Sequence, residues 1–229
     1  TVEGGIRKKF RIALDQRDDG SDILRAGVHM YDLIAKSQLF FLPLGDETFE
    51  KVLLPLAAQE KAALVFPCSG MRPHTLEGLP VVWLRPSYKQ EITALLDYAI
   101  NNLKQTKIAL FYEDSDWSVK VKEEVQTTLK EKYNLKLTAA SSYEPKTVFA
   151  DDAVRDIKKS NPQVILLVST ARAAYSFIRE AINQQLHYCS FLGISRTASV
   201  APQLKNSRGI TLVTSSVVPN PYKSQLPLV

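Results

Sequence analysis

An α/β protein, with parallel sheet covered by helices, is what this sequence predicts, and three observations predict it. Short β-rich runs alternate with stretches of helical period along the whole of its 229 residues. Two of those runs, Val164 to Val168 and Ile108 to Tyr112, are apolar on both faces, as strands buried between helix layers are. Helix stops stand just before strands: Asn134 after Lys132-Tyr133 suits a left-handed terminus, and Asn161-Pro162 ends a helix ahead of Val164.

Taken in order, the first strands are expected at Phe10 to Leu14, Leu39 to Leu42 and Ala62 to Phe66, separated by amphipathic stretches at Asp22 to Ala35 and Thr48 to Gln59. Val81 to Leu84 follows, then Ile108 to Tyr112, Leu135 to Ala139, Val164 to Val168, Phe191 to Ile194 and Ile210 to Val213. Between them, Ile92, Leu95, Leu96, Ala99, Ile100 and Leu103 fall on one helix face, and Ala171, Ala174, Tyr175, Ile178 and Ile182 repeat the pattern after Val168. Most connections therefore read as β–α–β crossovers, and the build is Rossmann-like. No low-complexity linker and no short repeat interrupts it.

Composition narrows the class. Apolar residues make up 45% and charged residues 23%, ordinary for a folded domain, so disordered and fibrous classes are excluded. The longest apolar runs are far too short for a membrane helix. The net charge of +5 is mild, and the basic residues on presumed helices are interleaved with Glu123, Glu124 and Glu131, which describes a solvated face; no nucleic-acid partner is expected. Two cysteines cannot make a disulfide framework. The chain begins at Thr1 with no leader sequence, so the expectation is that any export signal has been removed.

Open parallel sheets bind ligands outside the carboxyl ends of their strands. The loops there read Pro43 to Thr48, Pro67-Cys68-Ser69-Gly70, Arg85-Pro86-Ser87-Tyr88, Glu113-Asp114-Ser115-Asp116-Trp117, Ser169-Thr170 and Ser195-Arg196-Thr197. Hydroxyls, small residues, aromatics and arginines suit a small polar or anionic ligand. Enzyme signatures are missing: there is no glycine-rich dinucleotide fingerprint, no Walker pattern and no Gly-x-Ser-x-Gly elbow around Ser69. Cys68 with His74, or His187 with Cys189, supplies at most two ligands where closed zinc sites need four, so no metal and no cofactor is expected. Asp114 and Asp116 resemble the acidic pair of metal-dependent sugar-nucleotide enzymes, but a helix N-cap at Ser115 or Asp116 accounts for them more simply.

Gly4-Gly5-Ile6 stands before a strand ending Asp18-Asp19-Gly20. Leu54-Pro55-Leu56-Ala57, Phe66-Pro67, Leu84-Arg85-Pro86-Ser87-Tyr88, Phe111-Tyr112-Glu113-Asp114, Val217-Val218-Pro219-Asn220-Pro221 and Leu226-Pro227-Leu228-Val229 follow in that order. In opening and order these motifs resemble bacterial periplasmic ligand-binding proteins of the leucine/isoleucine/valine-binding type. The resemblance implies two Rossmann-like lobes, the first being residues 1–87 with the tail 217–229 and lacking parts of its own sheet, the second residues 88–216. It implies a non-enzymatic, periplasmic solute-binding component of an ABC importer that closes by a hinge on a small amino-acid-like ligand, carboxylate or amide and delivers it to an inner-membrane permease. A sensing or interaction-only module of the same fold is the alternative, and a metal-dependent transferase a weaker one.

The same resemblance implies the site. Gly45, Thr48, Cys68, Ser69 and Gly70 correspond to the family's carboxylate-holding cluster, Trp117 to the aromatic that covers the ligand, and Ser169 and Thr170 to its neighbouring loop. Tyr88 stands where an Asp is common, and Ser195-Arg196 where a Glu is common. With Arg85 at the lobe crossing, the cleft is expected to be neutral to positive, unless Arg85 and Arg196 turn to solvent or pair with Asp114 or Glu113. Cys68 on a cleft loop and Cys189 at the far end of the second sheet are expected to be free thiols.

Overall fold

The computed structural model describes residues 13–20, 22–36, 41, 43, 49–72, 78, 81–205, 207 and 209–217. The chain forms two compact units: Thr1–Pro67 with Thr75–Val82, and Cys68–His74 with Trp83–Val229. These units and the lobes expected from the sequence divide the chain differently at Cys68–His74, at 83–87 and after residue 216.

In the first unit, helix α1 (Ile23–Ala35) starts at Asp22, whose carboxylate accepts the Arg25 N–H and so satisfies an otherwise orphaned donor. A π-helical turn (Phe49–Leu53) runs into α2 (Leu54–Glu60), which ends at left-handed Lys61. Strands β1 (Leu64–Val65) and β2 (Val81–Val82) pair in parallel, and Phe41 bridges to Leu64. Ala26, Met30, Phe49, Leu54, Leu56, Ala57 and Leu64 are buried, while Leu24, Val28 and Tyr31 leave an apolar stripe of α1 exposed. Of the strands expected at 10–14 and 39–42, Ala13 and Leu14 belong to no strand, and the rest apart from Phe41 lies outside the described residues.

The second unit holds a five-stranded, all-parallel sheet in the order β4-β3-β5-β6-β7. Its strands are β3 (Ile108–Glu113), β4 (Ala139–Tyr143), β5 (Val164–Val168), β6 (Ser190–Gly193) and β7 (Thr211–Thr214). Helices α3 (Tyr88–Asp97, continued by a π-helical turn to Asn102) and α4 (Asp116–Tyr133) pack with Ile108, Leu110, Val164 and Leu166 into one core. Helices α5 (Asp151–Lys159) and α6 (Ala171–Asn183) pack with Phe111, Ile165, Leu167 and Phe191 into the other. Alternate residues of β3 and β5 thus go to opposite cores, which is why both strands are apolar throughout. Asn134 and Asn161 adopt the left-handed conformation expected of helix stops.

One strand is displaced from its expected position. Leu135 and Leu137 only pack against the core edge as the chain approaches the sheet, and the strand proper is the more polar Ala139–Tyr143. As an edge strand it pairs with β3 alone, in a register set by Ala109 opposite Ala139. Hydrophobicity was a poor guide where one side of the strand needs no partner.

Candidate functional site

Strand order fixes where a site belongs. After β3 the chain moves outward to β4, then crosses back to β5 on the other side of β3, so the strand order reverses between β3 and β5, the place where open parallel sheets carry their binding crevice, outside the carboxyl ends. The residues there are Glu113 to Trp117 after β3 and Ser169-Thr170 after β5, with Ser195-Arg196 following β6.

At the crevice, Glu113 is buried and organises its surroundings. One carboxylate oxygen accepts hydrogen bonds from Ser115 Oγ (3.0 Å) and Trp117 Nε1 (3.1 Å), the other from the Tyr143 hydroxyl (2.9 Å). Thr170 N donates to that hydroxyl at 3.1 Å, and Thr170 Oγ1 caps α6 by accepting from Ala173 N. Burial raises the Tyr143 phenol above its ordinary value, keeping it protonated as donor. Ser169 is fully buried, its hydroxyl 3.3 Å from Thr170 O. Asp114 and Asp116 are exposed, Ser115 is the α4 N-cap, and no cluster of three or more potential metal ligands occurs among the described residues.

A second buried carboxylate lies at the start of α3. The helix opens with a capping box in which Ser87 N donates to Gln90 Oε1 (2.8 Å) and Gln90 N to Ser87 Oγ (3.2 Å). That start turns Tyr88, Glu91, Ile92 and Leu95 inward together. Glu91, 3% exposed, takes the Arg85 guanidinium and Ser195 Oγ (3.2 Å) on one oxygen, and Ser195 N (2.8 Å) and Ser215 Oγ on the other. Arg85 also donates to Cys68 O and lies 4.9 Å from the Tyr88 ring centre. Arg72 braces the same segments by donating to Arg85 O at 2.6 Å while stacking over Trp83. Burial, helped by the charge of Arg85, pulls Arg72 down to about 10.

The expected alternatives for Arg85 are corrected here: it turns neither to solvent nor to Asp114 or Glu113, but pairs with Glu91, the acid that the following helix α3 carries inward. Its charge is thereby neutralised inside the protein.

Tyr88 and Trp117 link the two carboxylates. Their ring centres are 5.6 Å apart, Trp117 is 3% exposed, and the Arg196 guanidinium lies 4.6 Å from the Trp117 ring centre. Burial lowers the Arg196 value. Tyr88 N donates to Gly70 O (2.8 Å), and its ring rests on Gly70, where a Cβ would meet ring carbons at 2.7 to 2.9 Å. Ser69 is buried, its hydroxyl accepting from Met71 N, while Cys68 is exposed. Cys189 is a buried free thiol beside Pro162 O.

Of the residues expected from the sequence, Cys68, Ser69, Gly70, Tyr88, Trp117, Ser195 and Arg196 form one chain of contacts, joined to Thr170 through Glu113 and Tyr143. Gly45 and Thr48 lie outside the described residues. Sequence reasoning missed Glu91, and it named Glu113 only as part of its loop and as a partner for arginine. A signal existed for the first: an acid on the apolar stripe of α3, between Tyr88 and Ile92.

This architecture has clear relatives. The chain matches the periplasmic binding protein family over residues 2–225 and belongs to that family. It is similar to the crystal structure of a substrate-binding periplasmic protein from Ralstonia solanacearum, with 28% identity and a TM-score of 0.75, over 91% of this chain and 60% of that one. A possible leucine/isoleucine/valine-binding protein from Rhodopirellula baltica matches at 22% identity and a TM-score of 0.76, covering 92% and 58%. A branched-chain amino acid ABC transporter protein from Thermus thermophilus, solved with bound valine, matches at 15% and 0.72, covering 83% and 50%. The chain thus spans about 60% of the length of the first two structures. Comparison with curated proteins gives no match.

Proposed function

We propose that this chain is part of an extracytoplasmic solute-binding protein that captures a small polar or anionic ligand between two lobes for ABC-type import, without catalysis. The observation that carries the reading is the reversal of strand order between β3 and β5, with Trp117, Ser169, Thr170 and Arg196 in the segments that follow β3, β5 and β6, in a chain of the periplasmic binding protein family. Ligand contacts are proposed from those residues and from Gly45, Thr48, Cys68, Ser69, Gly70, Tyr88 and Ser195. The lobes are proposed as residues 1–87 with 217–229, and 88–216. Closure would follow from contacts made to both lobes only in the closed state. An inner-membrane permease as partner and a periplasmic location go with this reading. No helix among the described residues is long and apolar enough to cross a membrane.

The charge of the ligand depends on which groups are already neutralised. Arg85 is paired with Glu91, whereas Glu113 is held by hydroxyl and indole donors. A ligand bearing a hydrogen-bond donor toward Glu113 and an acceptor toward Arg196 fits better than a bare anion. Isothermal titration against amino acids including valine, small carboxylates including 4-hydroxybenzoate, and amides tests this. Binding of one class, weakened by Arg196→Ala, supports the reading; no heat from any class overturns it.

A further inference from the structure

The outward face of α6 carries a groove that the solute-binding reading does not use. One part, of about 530 Å³, is lined by Val148, Arg172, Tyr175, Ser176, Arg179 and Gln203. A second part, of about 250 Å³, continues past Arg179 to Ile182, Asn183, Ser207 and Ile210. The helix residues 172, 175, 176, 179, 182 and 183 recur at helical spacing, so the groove follows one face of α6 for about 16 Å, while Ala173, Ala174, Phe177, Ile178 and Ala181 face the core.

Its charge is unbalanced. Arg172 and Arg179 are exposed, and neither makes a hydrogen bond or ion pair among the described residues. Among the described residues, no acidic residue lines either part. The neighbouring cations of α5 are engaged: Arg155 with Asp152, Lys159 with Asp156, and Lys158 with Gln184 O. Beside the groove, next to Val148, Phe149 is 79% exposed. Arginine and aromatic residues around a recess are the composition of protein-binding hot spots.

From this charge and composition we infer that the α6 groove is a docking surface for an acidic segment of a partner protein, with an apolar side chain packing at Val148 and Phe149. Two turns of helix put the arginine Cα atoms about 10 Å apart, which three residues of extended chain span. A small solute is disfavoured, because exposed guanidinium groups hold a lone anion only weakly in water, whereas a segment adds contacts along the whole groove.

The test is fluorescence anisotropy with the full chain and two labelled, capped ten-residue peptides. One carries Glu at every third position and a central Leu; the other is identical but with Gln for each Glu. The Glu peptide should bind with salt-sensitive affinity and the Gln peptide at least about tenfold more weakly. The double variant Arg172→Gln/Arg179→Gln should lose about tenfold in Kd for the Glu peptide, and Arg155→Gln should not. All these side chains are exposed, and circular dichroism checks that the fold is kept. Equal binding of the two peptides, unchanged binding by the double variant, no binding up to about 1 mM, or glutarate binding as tightly as the peptide would each overturn the proposal. None of these outcomes depends on whether the crevice binds a solute.

Discussion

Replacing Glu91 with alanine should be among the most damaging single changes in the second unit. Glu91 is almost wholly buried and accepts from Arg85, Ser195 N, Ser195 Oγ and Ser215 Oγ. Its removal strands a guanidinium whose side chain is only 13% exposed and orphans the Ser195 amide. Breaking a buried pair by taking one partner costs about 3–5 kcal/mol. The orphaned amide is worth about 1–3 kcal/mol more if water cannot reach it. We take the broken pair alone as the expected loss. Against a domain stability of about 5–15 kcal/mol, that is a large fraction. Urea unfolding followed by tryptophan fluorescence measures it. The companion variant Arg85→Met/Glu91→Leu removes both charges and should recover part of the loss, since an apolar pair of similar volume replaces a buried ion pair at little cost while the Ser195 amide still lacks its acceptor. A loss below about 1 kcal/mol for Glu91→Ala, or a double variant less stable than the single, would refute the reasoning.

Three further outcomes are expected. Gly70→Ala puts a Cβ within 2.7 Å of the Tyr88 ring, so it should destabilise by about 1–3 kcal/mol in the same unfolding assay, and no change would mean the ring is free to move. Tyr88 is pushed up to about 12, first by burial and then by neighbouring Glu91, with Arg85 opposing. Since the unfolded phenol titrates near 10, this contribution is complete below about pH 10 and is lost as pH rises to about 12, amounting to about 3 kcal/mol. Tyr88→Phe should flatten that alkaline slope in part, leaving the share of Tyr143, whose value burial also raises. Native protein should react with a thiol reagent once and quickly at exposed Cys68, and a second time only on unfolding, because burial pushes Cys189 up to about 11; two fast groups in the native state would contradict this.

What the sequence determined by itself was whatever depends on near neighbours. Val164 to Val168 was readable as a strand residue for residue, because burial on both faces leaves an uninterrupted apolar run. The stops at Asn134 and Asn161 were readable because a left-handed terminus favours Asn over most side chains. The crevice loops followed too, since parallel strands put their carboxyl ends on one side. Edge strand β4 was misplaced because its position is set by hydrogen bonding to β3, not by its own hydrophobicity. Only the tertiary structure decided the use of charge. Arg85 reads as a positive charge of the cleft until Glu91, Ser195 and Ser215 are brought together across 104 and 124 residues of chain. The surroundings of Trp117, with Tyr88, Glu113 and Arg196 about its ring, are likewise set by residues distant in the chain. A buried charge is defined by its partners, and those partners meet only when the chain has closed loops far longer than any local pattern spans.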